Sequence, residues 1–165
     1  MKKNMSRSLS LIGAPVETGT HQRGCLMGPD ALRTAGIGKA LVDRAIMLGR
    51  SGDPEAAIEA HLSSLGYLPN KAWISRFSVH QGLGWIYADR GDLDAAREHA
   101  DKAAAYHQTR TGQNWSRLVW LEGEIALKAG RLEAAKRALG EARSGFAEQG
   151  NPFDVAVVSL RLAKA

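Results

Sequence analysis

Five histidines and a set of carboxylates are the side chains of this chain that could perform metal or acid–base chemistry. His99 and His107 are eight residues apart in a stretch that we predict to be one helix. Eight residues are about two helical turns, whereas two histidines that share a metal on one helix stand about one turn apart. Asp92, Asp94 and Asp101 are expected at a turn and on the solvent-facing side of that helix. These spacings predict no catalytic, metal-binding or cofactor-binding residues.

A short block of sequence occurs three times at a spacing of 39 residues. The blocks begin at Gly52, Gly91 and Gly130, and each ends in two alanines. A further glycine, Gly84 or Gly123, stands seven residues before the second and the third block. A fixed period in this range predicts stacked helical hairpins. Such arrays build extended surfaces, which favours a protein-binding function over catalysis.

The blocks resemble the tetratricopeptide repeat (TPR), with Gly91 at the turn between the two helices of a unit. Gly84 then matches the small residue of the first helix, and Tyr87 matches its aromatic residue. Ala96 and Ala103 match the small residues of the second helix. The usual proline of the family is missing, and the period is about five residues longer than the common 34.

The resemblance implies an all-α, TPR-like helical hairpin array over residues 42–165, with about seven helices and a 39-residue period. An unrelated helical hairpin array is the alternative, and it has the same fold class. Apolar periodicity and turn signals place the helices. The predicted helices are 38–50, 54–65, 72–89, 93–109, 115–129, 132–148 and 152–164.

The start of the chain resembles a different family. Residues 11–16 read LIGAPV, and a GP-x-x-LR-x-AG pattern begins at Gly28. This segment, about residues 9–41, resembles the N-terminus of bacterial arginases of the ureohydrolase family. A strand without a sheet leaves its backbone donors and acceptors unpaired. We therefore expect residues 1–41 to form a separate, mobile arm.

The arginase resemblance implies hydrolysis of a guanidino group by a hydroxide that bridges two manganese ions. The family binds these ions through histidine and carboxylate motifs that follow the N-terminal segment. None of those motifs is present, and Glu59-Ala60-His61, the nearest approach, lacks the second acid. The chain is therefore expected not to be an enzyme, and the alternative to a scaffold is an inactive arginase-family fragment.

The TPR resemblance also predicts where a ligand would bind, because the first helix of each unit lines the concave face in that family. Trp85 and Trp120 fall at such positions, flanked by charges of both signs, as suits a peptide with an apolar anchor and a polar rim. The alternative is that both tryptophans are buried between hairpins. Trp73 and Trp115, near helix starts, are expected to be packing residues. The candidate peptide-binding residues are Gln81, Trp85, Asp89, Arg117, Trp120, Glu124 and Lys128.

The distribution of charge bears on the class of partner. Residues 1–41 carry six Lys and Arg against two acids, whereas residues 42–165 carry sixteen against fifteen. A nearly neutral array argues against a nucleic-acid groove. No apolar run approaches the roughly 18 residues of a membrane span. The single cysteine, Cys25, excludes an internal disulfide, and a cytoplasmic location without cofactors is expected.

The last predicted helix, 152–164, is apolar on most of its circumference. A terminal repeat helix normally presents a polar outer face to water. This departure predicts either that the chain is a fragment of a longer array, or that its end docks another protein or a second copy of the chain. The sequence from Trp120 to Ala163 also resembles TPR regions of some bacterial regulatory proteins, which implies a scaffold or regulatory role.

Overall fold

The computed structural model of the chain describes residues 36–107 and 109–165. The chain divides into two compact units, Met1–Ile37 and Gly38–Ala165, and the architecture below is that of the second. Residues 1–35 lie outside the described residues, so the predicted mobility of the arm and its arginase-like strand is not tested.

Every regular element in the described residues is an α-helix. The predicted all-α, TPR-like array is confirmed, with differences of one to three residues at most helix ends. The helix predicted at 93–109 ends earlier, at Tyr106, and the one predicted at 115–129 begins earlier, at Gly112. The helices are α1 Ile37–Arg50, α2 Pro54–Tyr67, α3 Trp73–Arg90, α4 Leu93–Tyr106, α5 Gly112–Lys128, α6 Leu132–Glu148 and α7 Pro152–Leu162.

The repeated blocks form the turns inside the hairpins. Gly91 ends α3 with φ of 82°, a left-handed conformation that glycine adopts without a steric penalty. Asp53 and Asp92 then cap the helices that follow, accepting hydrogen bonds from the backbone N–H of Ala56 and Ala95 at 3.0 and 3.2 Å. These side chains satisfy amide groups that have no partner within the helix.

The helices pack in sequence order, α3 with α4, α5 with α6, and α6 with α7, while α3 also contacts α5. Close packing depends on the glycines of the first helices. A Cβ atom on Gly123 would lie 2.8 Å from Cγ of Leu139 in α6, and one on Gly84 would lie 2.7 Å from Cδ2 of Leu121 in α5. The small residues therefore set how near neighbouring helices approach.

Three buried clusters follow one another along the array. The first joins α1, the end of α2 and α3; the second joins α3, α4 and α5; the third joins α5, α6 and α7. Phe77 and Phe146 are the largest side chains that are fully buried. Because α5 contributes to two clusters, its opposite sides are fixed against both neighbouring hairpins.

Two features of the surface bear on partners. As predicted for the last helix, α7 leaves large apolar side chains in water: Phe153 is 74% exposed and Leu160 is 67% exposed. In the part of the chain that the structure describes, no helix is both long and apolar enough to cross a membrane.

Candidate peptide-binding face

Trp85 of α3 and Trp120 of α5 meet across the boundary between two hairpins. Their rings contact edge to face, with centroids 5.2 Å apart and an interplanar angle of 75°. Trp120 also meets the ring of Phe146 edge to face at 6.2 Å. Both tryptophans are half-buried, since each packs on a core cluster and keeps part of its surface in solvent. The two tryptophans are thus neither fully exposed, as in a ligand-binding groove, nor fully buried between hairpins, as in a core.

Glu124 is the most buried charged group beside this pair, with a side chain that is 5% exposed. Its Oε1 accepts a hydrogen bond from Nε1 of Trp120 at 3.1 Å and pairs with Nε of Arg161 at 3.0 Å. A buried carboxylate without partners is strongly destabilising, so Arg161 compensates a charge that would otherwise be costly. The network also fixes the orientation of the Trp120 ring.

An exposed ion pair lies about one turn further along the same helices, at their C-terminal ends. Nζ of Lys128 donates to Oδ1 of Asp89 at 3.1 Å and to the backbone carbonyl of Ala88 at 2.8 Å. The ion pair alone contributes little to stability because water screens it. It links the ends of α3 and α5, and it supplies charges of both signs next to the tryptophans.

Two predicted site residues are not part of these contacts. Nε2 of Gln81 is buried without a hydrogen-bond partner among the described residues. Arg117 is exposed and forms no ion pair within the described parts of the chain. The structure therefore brings together Trp85, Trp120 and Glu124, separately pairs Asp89 with Lys128, and leaves Arg117 to solvent. We call the following set the tryptophan face: Trp85, Asp89, Arg117, Trp120, Glu124, Lys128 and Arg161.

Arg161 of α7 is the site residue that sequence reasoning missed. Leu118, Leu121 and Ile125 fix α5 against the preceding hairpin, and Val155, Val158 and Leu162 of α7 pack on the next one. These two triplets are offset by 37 residues, not 39, and the same offset takes Glu124 to Arg161. Aligning the apolar residues of α7 with those of α5 at this offset would have identified Arg161 as the partner of Glu124.

Three histidines that are far apart in sequence also come together. Nδ1 of His80 lies 3.0 Å from Nδ1 of His99, and these rings stack on each other and on Tyr106 and Tyr87, respectively. The ring of His61 approaches the same helix so closely that a Cβ atom on Gly82 would lie 2.6 Å from its Nε2. His99 is buried within its own hairpin, against His80 and Tyr87 of α3.

Burial keeps these histidines neutral. Desolvation, with a smaller effect of His99, lowers the pKa of His61 to about 4. Desolvation also lowers the pKa of His80 to about 4, helped by His99, Lys102 and Arg76 and opposed by Glu98. Neutral imidazoles are the form that binds metals, yet within residues 36–107 and 109–165 no group of three or more His, Cys, Asp or Glu is placed to hold one.

Comparison with known proteins supports both resemblances. Residues 79–102, from α3 into α4, match the family model of the tetratricopeptide repeat. An arginase of Agrobacterium fabrum is 41% identical over 71 residues, which are 43% of this chain and 21% of that protein. The chain thus spans about a fifth of the length of this curated relative, and a match of 71 residues is longer than the segment 9–41 in which the likeness was recognised. No solved structure matches the chain. The described residues form a TPR-like helical array, in a chain that also carries a partial similarity to arginase.

Proposed function

We propose that the chain is a protein-interaction module without catalytic activity, and that it binds a peptide segment of a partner on the tryptophan face. The observation that carries this proposal is the contact of Trp85 with Trp120 across two hairpins, with both residues partly exposed to solvent. The match to the tetratricopeptide repeat at 79–102 includes Trp85 and supports a protein-binding role.

The tryptophan face has the physical properties of an interface centre. Rigid aromatic side chains lose little conformational entropy on binding and often contribute most of the binding energy. The ring of Phe146 packs against Trp120 edge to face, and Glu124, paired with Arg161, accepts a hydrogen bond from the Trp120 indole. A ring that is already fixed in its bound orientation costs less to bind. The face is therefore preorganised for an apolar anchor.

Arg117 indicates the chemistry of the flanking contact. It precedes Trp120 by three residues, so the two side chains leave α5 on the same side. Its guanidinium is exposed and has no carboxylate partner among the described residues. A peptide with an apolar anchor next to an acidic residue would fill the tryptophan contact and pair with this cation.

A peptide selected from a displayed library against the full chain would test this function. We expect Trp85→Ala to weaken its binding at least about thirtyfold, as for an interface hot spot. Trp73→Ala is the matched control, because Trp73 is 46% exposed at the start of α3, away from the tryptophan pair. Trp73 was expected to be a packing residue, and this exposure contradicts that expectation.

Trp85 also packs on the core, so a second pair of variants separates binding from folding. Arg117→Glu should weaken the binding of a peptide that contains an acidic residue at least about fivefold. Arg143→Glu makes the same charge change at an exposed position of α6 and should have little effect. A site on the tryptophan face is contradicted if both arginine variants lose the same amount of peptide affinity. It is also contradicted if the Trp85→Ala variant is folded and binds the peptide as tightly as the parent chain.

The second candidate is an inactive arginase-family fragment, which the 41% identity to the Agrobacterium fabrum arginase favours. We propose that the chain does not hydrolyse arginine, because the metal-binding motifs of the family are missing from its sequence. Purified full-length protein should release no urea from arginine when manganese is added. Manganese-dependent urea release would overturn the non-catalytic proposal and leave the peptide-binding test unaffected.

Three finer attributes remain predictions of the sequence. Self-association through α7 is compatible with the exposure of Phe153 and Leu160, and sedimentation velocity of the full chain tests it. A cytoplasmic location is testable with a fluorescent fusion. A role in a bacterial regulator predicts that the bound partner belongs to a regulatory protein.

A further inference from the structure

A cavity of about 460 Å³ lies between α4, α5 and α6. Glu122 of α5 lines it, two residues from both Trp120 and Glu124. Two residues along a helix turn the side chain through about 200°, so the cavity lies on the side of α5 opposite the tryptophan face. Its volume is within the range of small-molecule sites, about 300–1,000 Å³.

Small side chains keep the cavity open. Ala100 of α4, Ala126 of α5, and Ala134 and Ala138 of α6 form much of its wall. Leucines at these positions would fill the space, as they do elsewhere between these helices. The alanine walls, with Val119 and Ile125, leave room for an aliphatic group of a ligand.

Six charged residues line the cavity, three of each sign, and none of them pairs with another. Elsewhere in the described residues, ion pairs form readily, as between Lys39 and Asp43, and between Lys102 and Glu98. In the cavity, the only side-chain hydrogen bond to this set within the described residues is from Nε1 of Trp115 to Oε1 of Glu141, at 3.3 Å. The six residues are Arg97, Asp101, Glu122, Arg131, Arg137 and Glu141.

Three carboxylates, Asp101, Glu122 and Glu141, line the same cavity. Glu122, like the other five charged residues, is exposed as a residue, but its place in the cavity wall partly desolvates its carboxyl group. Desolvation raises the pKa of Glu122, the charges of Glu141 and Asp101 raise it further, and Arg110 opposes them. A cation placed beside Glu122 would relieve this repulsion. The three arginines of the same walls could each bind an anion.

We propose that this cavity binds a small zwitterion, with its ammonium or guanidinium group beside Glu122, its carboxylate on the arginines, and its aliphatic stem against the alanine walls. A ligand with one charge would satisfy one set of residues and leave the other unpaired. A zwitterion satisfies both sets and adds no net charge. The same chemistry is offered by a free amino acid and by a peptide with neighbouring basic and acidic side chains.

Three probes with similar stems test the need for both charges. They are 5-aminovalerate, which is a zwitterion, pentylamine, which is only a cation, and valerate, which is only an anion. Titrated into the full chain and followed by amide NMR shifts, 5-aminovalerate should bind at least about tenfold more tightly than either other probe. The shifts should centre on residues of the cavity wall, such as Ala126 and Ala138.

Matched variants locate the site. Glu122→Gln and Arg137→Gln should each weaken binding of 5-aminovalerate at least about fivefold. Glu148→Gln and Arg143→Gln are the controls, because both residues are exposed on α6 and do not line the cavity. Circular dichroism of each variant verifies folding, and Arg137→Gln keeps the test valid if Glu122→Gln is misfolded.

The source of the ligand is decided by a further probe, the blocked peptide acetyl-Gly-Lys-Gly-Glu-Gly-amide. Tighter binding of this peptide than of 5-aminovalerate assigns the cavity to a peptide, and the reverse assigns it to a free amino acid. The proposal is overturned if pentylamine or valerate binds as tightly as 5-aminovalerate. It is equally overturned if the cavity variants bind like the controls, or if neither zwitterionic probe shifts the cavity residues at up to about 20 mM.

Discussion

Acidification from pH 6.5 to pH 4 should destabilise the array through His61 and His80. Their side chains are buried, at 1% and 7% exposure, and the pKa of each is about 4 in the folded protein. Near pH 8, well above the unfolded pKa of 6.5, both histidines are neutral in the folded and the unfolded chain, so they cause no pH dependence there. Below this pKa, the unfolded chain takes up protons first. The free energy of unfolding should then fall by about 1.4 kcal/mol per pH unit for each histidine.

The loss should be nearly complete at pH 4, where the folded histidines also bind protons. Over this window it amounts to about 3 kcal/mol per histidine, a large part of the stability of an ordinary domain. His99 acts in the same direction because desolvation and Lys102 lower its pKa. Glu122 acts in the opposite direction, because desolvation and the charges of Glu141 and Asp101 raise its pKa, so the folded chain takes up this proton before the unfolded chain does.

Urea denaturation of the full chain at pH 8, 6.5, 5.5 and 4.5 measures this effect. The test variant is His80→Gln, which removes one titrating group and keeps a polar side chain. The substitution can itself change the free energy of unfolding at pH 8, so only the slope with pH is compared. The free energy of unfolding of the variant should fall less steeply on acidification than that of the parent chain, by about 1.4 kcal/mol per pH unit. Both proteins contain the same carboxylates, so the contribution of these groups to the pH dependence largely cancels in the comparison. Parallel pH profiles of the two proteins would contradict the assignment to His80.

The fold could be predicted from the sequence because its strongest signals are local. Gly91 and the capping residues Asp53 and Asp92 act within a few residues of their own position. The period of 39 residues then repeats the same hairpin. Even close packing at Gly84 and Gly123 is signalled by their place in the repeat, seven residues before a turn. Local chemistry repeated at a fixed period leaves few alternative folds.

The site was predictable only in part because its contacts cross between hairpins. The repeat placed Trp85 and Trp120 on the same side of the array, but Trp120 also packs on Phe146 of α6, which the repeat did not indicate. Arg161 was missed because the packing residues of α7 follow the corresponding residues of α5 by 37 positions, a shift of two from the repeat. Contacts between distant segments depend on the helix register, which a period alone does not give.

The histidine cluster escaped prediction for a similar reason. His61, His80 and His99 stand on three successive helices at an even spacing of 19 residues, about half of the 39-residue period, but this spacing alone does not give the helix faces that they occupy. They meet because each occupies an inward-facing position at the same level of the array. Stacking on Tyr106 and Tyr87 makes His80 and His99 part of the packing. Their chemistry therefore appears as pH-dependent stability and not as metal binding.

Phe146→Ala should cause the largest loss of stability of any single substitution considered for the tryptophan face. The ring is fully buried in the third cluster, beside Leu139 and Val158, and it supports Trp120 at 6.2 Å. Removing it loses the burial of the ring and leaves a cavity, which together cost about 3–5 kcal/mol in a core that cannot collapse. Trp120 would lose its support, so peptide affinity should fall as well.

Phe153→Ala is the matched control because it makes the same chemical change at a ring that is 74% exposed on α7. Its effect on stability should stay within about 0.5 kcal/mol, as for most surface substitutions. Urea denaturation of both variants, followed by tryptophan fluorescence and circular dichroism, gives the comparison. The Phe146 variant should show a lower midpoint with an unchanged slope, since the surface exposed on unfolding is nearly the same. Similar midpoints for both variants would mean that Phe146 does not hold the third cluster together, and the support of Trp120 would then have to come from the Glu124–Arg161 pair alone.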